Sequence, residues 1–285
     1  MAIAQLHHAG MRSPKELIGE DPVCPSDNEE FSARALTLSE VHQLRDDFIE
    51  AAMRAEKAGF DGVELHGAHG YILCQFLSGE VNLRDDEYGG SFENRNRLLK
   101  EIIEGVRSEC RDDFMLGVRI SSERFGILLS ESKALAEDLM TSGDIDFLDM
   151  SLWDCFKEPQ DQEFKGKTLI QHFCELERAT TRLGVAGNLR TPQDVKKAME
   201  EGVDWVMLGR AAILHHNFPL LYEKDDQFIP SEIPVSVDYL TKEGLSPKFI
   251  EYMSNWGFVD GSIDRMKDCL LYTSDAADEG LGVDL

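Results

Sequence analysis

Gly62-Val-Glu-Leu-His-Gly-Ala-His-Gly-Tyr71 is a stretch whose last six residues include two histidines, two glycines and a tyrosine. Its first residues alternate in character, which predicts a β-strand over Gly62–Leu65 with Glu64 and His66 on one face. A strand that is apolar on one face and polar at its carboxyl end is typical of a sheet whose strand ends form a site.

The strand pattern recurs along the chain, and helical patterns separate the copies. The predicted strands are Ile3–Leu6, Gly62–Leu65, Phe114–Ile120, Phe147–Ser151, Gly184–Ala186 and Trp205–Leu208. The predicted helices are Arg34–Glu56, Glu93–Glu109, Lys133–Met140, Leu169–Thr181 and Pro192–Glu201. A βα repeat without hairpin signals predicts a parallel sheet covered by helices.

Long segments follow several of these strands, for example residues 7–33. Long loops at the carboxyl ends of the strands favour a (βα)8 TIM barrel, which builds its site there. The competing architecture is a doubly wound Rossmann sheet. The chain contains no Gly-x-Gly-x-x-Gly fingerprint, and this weakens the competing prediction.

Charge and composition exclude several classes of function. The chain has 285 residues with 54 acidic and 29 basic side chains, for a net charge of −25. Such a surface repels nucleic-acid phosphates and anionic lipid. No apolar run approaches the roughly 20 residues of a membrane helix, and the six cysteines form no Cys-x-x-Cys pair. These features predict a cytoplasmic protein without a metal site and with a small-molecule substrate.

Polar residues mark the carboxyl ends of three predicted strands. Along each strand, apolar neighbours point to the other face. The polar side chains are therefore expected on the inner face of a barrel, and they are those of Gln5, Glu64, His66 and Arg119. The alternative is a purely structural ion-pair network, for example Glu64 with Arg119.

The glycines of the Glu64–Tyr71 segment let His66, His69 and Tyr71 converge. Imidazole N–H groups could then stabilise negative charge that develops on a substrate oxygen, and the tyrosine hydroxyl could supply a proton. A histidine pair is, however, more often structural. A metal would need a third ligand, which the spacing does not provide.

Two later stretches have the features of a phosphate-binding site. Gly187-Asn188 precedes Thr191 and Pro192, which are suited to the N-cap and first position of a helix. Gly209-Arg210 follows the last strand, where βα barrels often bind phosphate. Ordinary helix capping explains both stretches equally well.

The run Asn82-Leu-Arg-Asp-Asp-Glu-Tyr-Gly-Gly-Ser-Phe-Glu-Asn-Arg95 reads by composition as a solvated loop. The run is nevertheless a highly specific motif, and it occurs together with five other motifs in one particular order. From Ile3 to Val259 this order of motifs resembles that of the Old Yellow Enzyme family. Members of this family are FMN-dependent ene-reductases built on a βα barrel. The motifs that carry the resemblance are Gln5–Gly10, Glu64–Ser78, Asn82–Arg95, Gly117–Ser121, Gly187-Asn188 and Gly209-Arg210.

The resemblance implies roles for these residues. Gln5 would bind the flavin pyrimidine edge, and Arg119 would lie beside flavin N1 and the C2 carbonyl. His66 and His69 would hold the substrate carbonyl, and Tyr71 would protonate the α-carbon. The residues implied to hold the FMN phosphate are Gly187, Asn188, Gly209 and Arg210. NADH or NADPH would reduce FMN in the same pocket that then receives an activated alkene.

The resemblance also implies a domain organisation. Four strands precede the two phosphate loops, whereas a complete barrel has six there, so we expect about six of eight strands with the first two βα units missing. The partial FMN-binding barrel would be residues 1–214. A C-terminal arm, residues 215–268, would pack on the barrel or on a neighbouring subunit of a homo-oligomer. Residues 269–285 resemble a translated sequencing adapter and are expected to be non-native.

Two other functions stay open at this point. One is a βα-barrel lyase or isomerase that binds a phosphorylated substrate through Gly209-Arg210. The other is a non-catalytic barrel fragment.

A barrel without two of its strands would expose sheet edges and part of its core. We therefore expect this chain, expressed with the sequence given, to bind FMN weakly or not at all and to be inactive, and the ene-reductase activity is an expectation for the intact parent protein. Flavin absorbance of the purified protein measures this. A soluble yellow preparation with one FMN per chain would contradict the expectation.

Overall fold

The computed structural model describes residues 1–259. Its strands are two to seven residues long. The strands are β1 (Ile3–Leu6), β2 (Val23–Cys24), β3 (Arg34–Ala35), β4 (Gly62–Gly67), β5 (Met115–Ser121), β6 (Phe147–Ser151), β7 (Arg182–Ala186) and β8 (Trp205–Val206). Each of the six predicted strands has a counterpart among them. The end of the predicted arm, 260–268, and the predicted non-native tail, 269–285, lie outside the described residues.

The chain divides into two compact units. The first consists of Met1–Leu152 and Phe156–Val185, and the second of Trp153–Cys155 and the residues from Ala186 onward. In the first unit β1, β4, β5, β6 and β7 lie side by side in chain order. A doubly wound sheet reverses its strand order at a switch point, whereas successive strands of a βα barrel are neighbours. The observed order favours the barrel.

Helices separate the strands of the repeat, as predicted. They are α1 (Lys15–Ile18), α2 (Leu38–Lys57), α3 (Ile72–Leu77), α4 (Phe92–Glu109), α5 (Leu129–Ser142), α6 (Leu169–Cys174), α7 (Pro192–Glu200), α8 (Arg210–Leu214), α9 (Phe218–Lys224), α10 (Val237–Lys242) and α11 (Pro247–Ser254).

The start of α2 corrects the predicted boundary at Arg34. Thr37 is the N-cap, and its hydroxyl accepts a hydrogen bond from the backbone N–H of Glu40, whose carboxylate accepts one from the Thr37 N–H. This capping box fixes the first helical residue at Leu38. Arg34 and Ala35 instead form β3, which pairs in parallel with β2.

One further predicted helix was too long, and one helix was missed. The helix predicted over Leu169–Thr181 ends at Cys174, because the chain then turns back towards β7 and the buried hydroxyl of Thr181 donates to the carbonyl of Met140 at 2.8 Å. The six-residue helix α3 was not predicted. All its residues are buried, so it lacks the amphipathic period that a sequence pattern would reveal.

The Asn82–Arg95 segment is held by hydrogen bonds, although its composition predicts a solvated loop. The amide of Asn82 donates to the carbonyls of Phe76 and Tyr88, both at 2.7 Å. The buried guanidinium of Arg95 donates to the carbonyl of Leu77 at 3.1 Å and to Glu131 at 2.5 Å. The charged motif therefore joins the ends of α3, α4 and α5.

In the second unit, α10 and α11 belong to a small core of their own. Its buried members are Leu214, Val235, Leu240, Ile250, Met253, Phe258 and Val259. The predicted arm thus has apolar contacts within this unit. Among residues 1–259 no helix is both long and apolar enough to cross a membrane.

We expect Gly117→Ala to lower the free energy of unfolding by about 1–3 kcal/mol, the usual cost of overpacking a core. Gly117 is opposite Phe147 in the β5–β6 register, and a Cβ at this position would overlap the Phe147 ring. Urea denaturation measures the effect. In a Phe147→Leu background the loss should shrink, because the ring is gone. Equal losses in both backgrounds would contradict the steric explanation.

Candidate active site

The parallel register of the first unit places polar side chains in rows across neighbouring strands. His66 of β4 is opposite Arg119 of β5, which is opposite Asp149 of β6. Two residues before His66 along β4, Glu64 is opposite Gln5 of β1. Opposite residues in paired strands point to the same face. The structure thus places Gln5, His66 and Arg119 on one face, as the strand pattern predicted.

Glu64 and Arg119 have hydrogen-bond partners other than each other. Gln5 donates its amide N–H to the Glu64 carboxylate, and Nε of Arg119 donates to the Ser151 hydroxyl at 2.8 Å. Glu64 is opposite Gly117 rather than Arg119, since the two side chains belong to successive rows. The hydrogen bonds thus differ from the Glu64–Arg119 pairing of the structural alternative.

His66 and His69 form a buried, directly bonded pair. Nε2 of His66 lies 3.2 Å from Nδ1 of His69, and the side chains are 3% and 4% exposed. Burial lowers the pKa of both imidazoles well below 6.5, and the nearby Arg119 guanidinium lowers both further. Both rings are therefore neutral at pH 7, and one proton is shared between the two facing nitrogens.

The second ring nitrogen of His66 determines which hydrogen bond the pair can offer to a ligand. Nδ1 of His66 is buried and has no hydrogen-bond partner among residues 1–259. If His69 donates to His66, that nitrogen carries a proton and can donate to a ligand oxygen. If His66 donates instead, Nε2 of His69 carries the proton. In either tautomer the pair retains one N–H beyond its internal bond.

Tyr71 lies against the histidine pair. It precedes α3, and its ring centroid is 5.3 Å from that of His66. The structure therefore brings His66, His69 and Tyr71 together. His7, which the sequence analysis did not single out, contacts the Tyr71 ring edge-on with a centroid separation of 4.2 Å.

In the second unit, Asn188 and Arg210 are brought together. Nη2 of Arg210 donates to Oδ1 of Asn188 at 3.1 Å, and Nε of Arg190 donates to the same oxygen at 2.8 Å. Gly209 is the residue before α8. The sequence analysis missed Arg190, although it lies within the motif that begins at Gly187.

The backbone of Gly187 approaches residue 155 closely. The N–H of Cys155 donates to the Gly187 carbonyl at 3.3 Å, and a Cβ on Gly187 would come within 2.7 Å of that nitrogen. After this contact, Asn188 adopts a left-handed φ of 55°, and Thr191 caps α7 with Pro192 at its first position, as predicted. The two arginines therefore supply a compact pair of cationic donors suited to an anion, at an amide that accepts from both and donates to Asp154 at 3.2 Å.

Comparison with known proteins supplies the family. A model of the NADH:flavin oxidoreductase / NADH oxidase family matches residues 1–226. The chain belongs to this family. An old yellow enzyme homologue from Zymomonas mobilis has a similar structure, with a TM-score of 0.68 and 30% identity over 86% of this chain and 71% of that one. The resemblance to the Old Yellow Enzyme family is thereby confirmed, as is a βα barrel with six of its strands described here.

Further relatives agree with this placement. Morphinone reductase in complex with tetrahydroNAD gives a TM-score of 0.65 and 26% identity over 84% of this chain and 69% of that one. The "Probable NADH-dependent flavin oxidoreductase YqiG" of Bacillus subtilis is 33% identical over 76% of this chain and 61% of its own length. The NADH oxidase of Thermoanaerobacter brockii is 34% identical over 75% of this chain and 35% of its own length. The chain thus spans between about one third and two thirds of these two sequence relatives.

The chemistry of both units fits the cofactors of this flavin oxidoreductase family, FMN and a nicotinamide, which the sequence predicted. The first unit presents an unpartnered buried nitrogen on His66 beside the cationic Arg119. The second presents Arg190 and Arg210 at one amide oxygen, in a chain whose net charge is −25. Family membership favours an oxidoreductase over the lyase or isomerase alternative.

We expect stability to fall as the pH drops below about 6.5. Because burial lowers the pKa of His66 and His69, the unfolded chain binds protons in this range that the folded protein does not. Each histidine contributes at most about 1.4 kcal/mol per pH unit. Urea denaturation between pH 5 and pH 7.5 measures the slope. His69→Asn should reduce it by about one proton, and an unchanged slope would contradict the assignment.

Proposed function

We propose that this protein is an FMN-dependent ene-reductase that uses NADH or NADPH to reduce activated C=C bonds of α,β-unsaturated carbonyl compounds. The observation that carries the proposal is the neutral His66–His69 pair, with its unpartnered nitrogen, packed against Tyr71. Membership of the flavin oxidoreductase family supports the cofactor, and the pair supports the substrate class.

The histidine pair would bind the substrate carbonyl. A neutral imidazole N–H is a good hydrogen-bond donor and a weak acid, so it polarises a carbonyl without protonating it. Because the two rings share one proton, a second N–H reaches the ligand only if the internal bond opens. Binding would then exchange a histidine–histidine hydrogen bond for bonds to the substrate oxygen.

Tyr71 would supply the proton for the α-carbon. The His7 ring, perpendicular to the Tyr71 ring, and the His66 ring, tilted by 44° to it, both lie beside it, which limits the positions open to the Tyr71 hydroxyl. A proton donor held close to the carbonyl-binding pair can act while charge builds up on the substrate.

The remaining predicted residues would bind the cofactor. FMN, when bound, would supply the hydride chemistry. Gln5 would hydrogen-bond its pyrimidine edge, and the cationic Arg119 would stabilise negative charge beside N1. In the second unit, Asn188 and Arg210 would bind the phosphate together with the backbone at Gly187 and Gly209.

Cellular location is also a proposal. Five cysteines within the described residues are free thiols, as a reducing compartment would keep them. We propose a cytoplasmic enzyme whose substrate is a small molecule. Whether it forms a homo-oligomer is open to measurement by sedimentation.

The decisive experiment separates the two half-reactions in the presence of excess FMN. Stopped-flow absorbance follows flavin reduction by NADH or NADPH and, separately, reoxidation by a panel of enones, enals and nitroalkenes. Tyr71→Phe should slow alkene reduction about 100-fold or more and leave flavin reduction within about twofold, because only alkene reduction needs the tyrosine proton.

The matched control is Tyr252→Phe, which removes the same hydroxyl from an exposed position on α11. It should leave both half-reactions unchanged. Equal losses in both half-reactions of Tyr71→Phe would contradict the assigned role. Absence of NAD(P)H-dependent alkene reduction by wild-type protein that has bound FMN would reject the proposed function.

A further inference from the structure

The turn that carries His69 towards Tyr71 has an unfavourable backbone conformation. His69 and Gly70 are consecutive left-handed residues, with φ values of 62° and 71°. Glycine tolerates this region, whereas a histidine there is uncommon and costs free energy unless surrounding contacts hold it. The position of the proton donor relative to the histidine pair depends on this turn.

Three side chains from three different elements bind the backbone of the turn. The hydroxyl of Ser121, at the end of β5, accepts from the His69 N–H at 3.0 Å. Nη1 of Arg12, in the segment after β1, donates to the His69 carbonyl at 2.5 Å. Nε2 of Gln75, in α3, donates to the Gly70 carbonyl at 2.7 Å. Successive polar groups of the turn are thereby satisfied by side chains.

Arg12 differs from the other two because it also contacts the Tyr71 side chain. Its guanidinium carbon lies 4.7 Å from the centroid of the Tyr71 ring, within the range of a cation–π interaction. One side chain therefore binds the backbone of His69 and covers the ring of Tyr71. Arg12 lies outside every residue set implied by the family resemblance.

We propose that Arg12 is a positioning residue that fixes Tyr71 relative to the His66–His69 pair. The inference rests on the proposed function, in which the pair binds a carbonyl and Tyr71 delivers a proton. Arg12 acts through both contacts at once, since its planar group can donate from its edge and stack with its face. A lysine ammonium has the charge but no plane, and cannot reproduce this combination.

The kinetic test compares Arg12→Ala and Arg12→Lys with wild-type protein in the two half-reactions, with FMN in excess. Misplacing a reacting group by about 1 Å can cost up to about 100-fold in rate. We expect Arg12→Ala to slow alkene reduction between about 10-fold and 100-fold, with flavin reduction by NADH within about twofold. Arg12→Lys should not restore the rate. Full rescue by lysine would show that charge alone matters and would overturn the proposal.

Arg111→Ala is the matched control, since Arg111 also covers an aromatic ring, that of Phe114, at 5.6 Å, but at the opposite end of β5. It should leave both half-reactions unchanged. A double-mutant cycle with Tyr71→Phe supplies the second test. If Arg12 acts through Tyr71, Arg12→Ala adds less than about threefold to the loss already caused by Tyr71→Phe. A full, multiplicative loss would overturn the proposal.

Nuclear magnetic resonance of ¹⁵N-histidine-labelled protein gives a readout that needs no flavin. The hydrogen bond between His66 and His69 couples the tautomers of the two rings, since whichever ring donates determines where the other carries its proton. Arg12→Ala should change the ¹⁵N shifts of these two histidines, and the Arg111→Ala spectrum should match wild type. Unchanged histidine shifts in folded Arg12→Ala would overturn the positioning role. If wild-type protein that has bound FMN reduces no alkene, the proposed function fails, and these spectra still decide whether Arg12 holds the turn.

Discussion

The parallel register of β4 against β5 is the constraint on which the polar face of the first unit depends. Six residue pairs, from Gly62 with Met115 to Gly67 with Ile120, set the two strands side by side. A shift of one residue would turn His66 and Arg119 to opposite faces. Gly117 permits this register, because it leaves room beside β6 for the Phe147 ring. The apolar packing of the strands therefore fixes the polar chemistry at their ends.

Positively charged groups lie close to the candidate site, although the net charge of the chain is negative. The chain is strongly acidic, yet arginines lie close to the polar groups of both units: Arg119 beside His66 in the first, and Arg190 and Arg210 at Asn188 in the second. A net charge governs long-range encounters, whereas nearby groups govern what binds at a given point. An anionic cofactor is thus compatible with an anionic protein.

Much of the fold could be predicted from the sequence, because strand alternation and helix caps are local signals. Phe147–Ser151 has the predicted bounds, and Pro192 begins α7 as predicted, with Thr191 as its cap. The errors have physical causes: α3 is buried on all sides, and the helix from Leu169 ends where tertiary hydrogen bonds draw Thr181 away.

The histidines and Tyr71 were also found from the sequence, since a strand end followed by glycines predicts their convergence. Arg12 was not, because its role arises from contacts between segments that are 57 residues apart. No pattern within the segment around Gly10 reveals that its arginine reaches His69. The contacts of Ser121 and Gln75 with the turn likewise join distant or separate segments, and no local sequence pattern predicts them.

The Asn82–Arg95 segment was the most specific sign of the family, and its side chains tie helices together. Asn82 and Arg95 bind backbone carbonyls at the end of α3, so this signature reports how the framework is assembled. The proposed chemistry depends on other residues. A relative could lack the histidine pair, keep the signature and still be recognised as a member of the family. Under the proposed function, a relative's capacity to act on a carbonyl substrate is therefore better judged at the positions of His66, His69 and Tyr71 than by the motif that identifies the family.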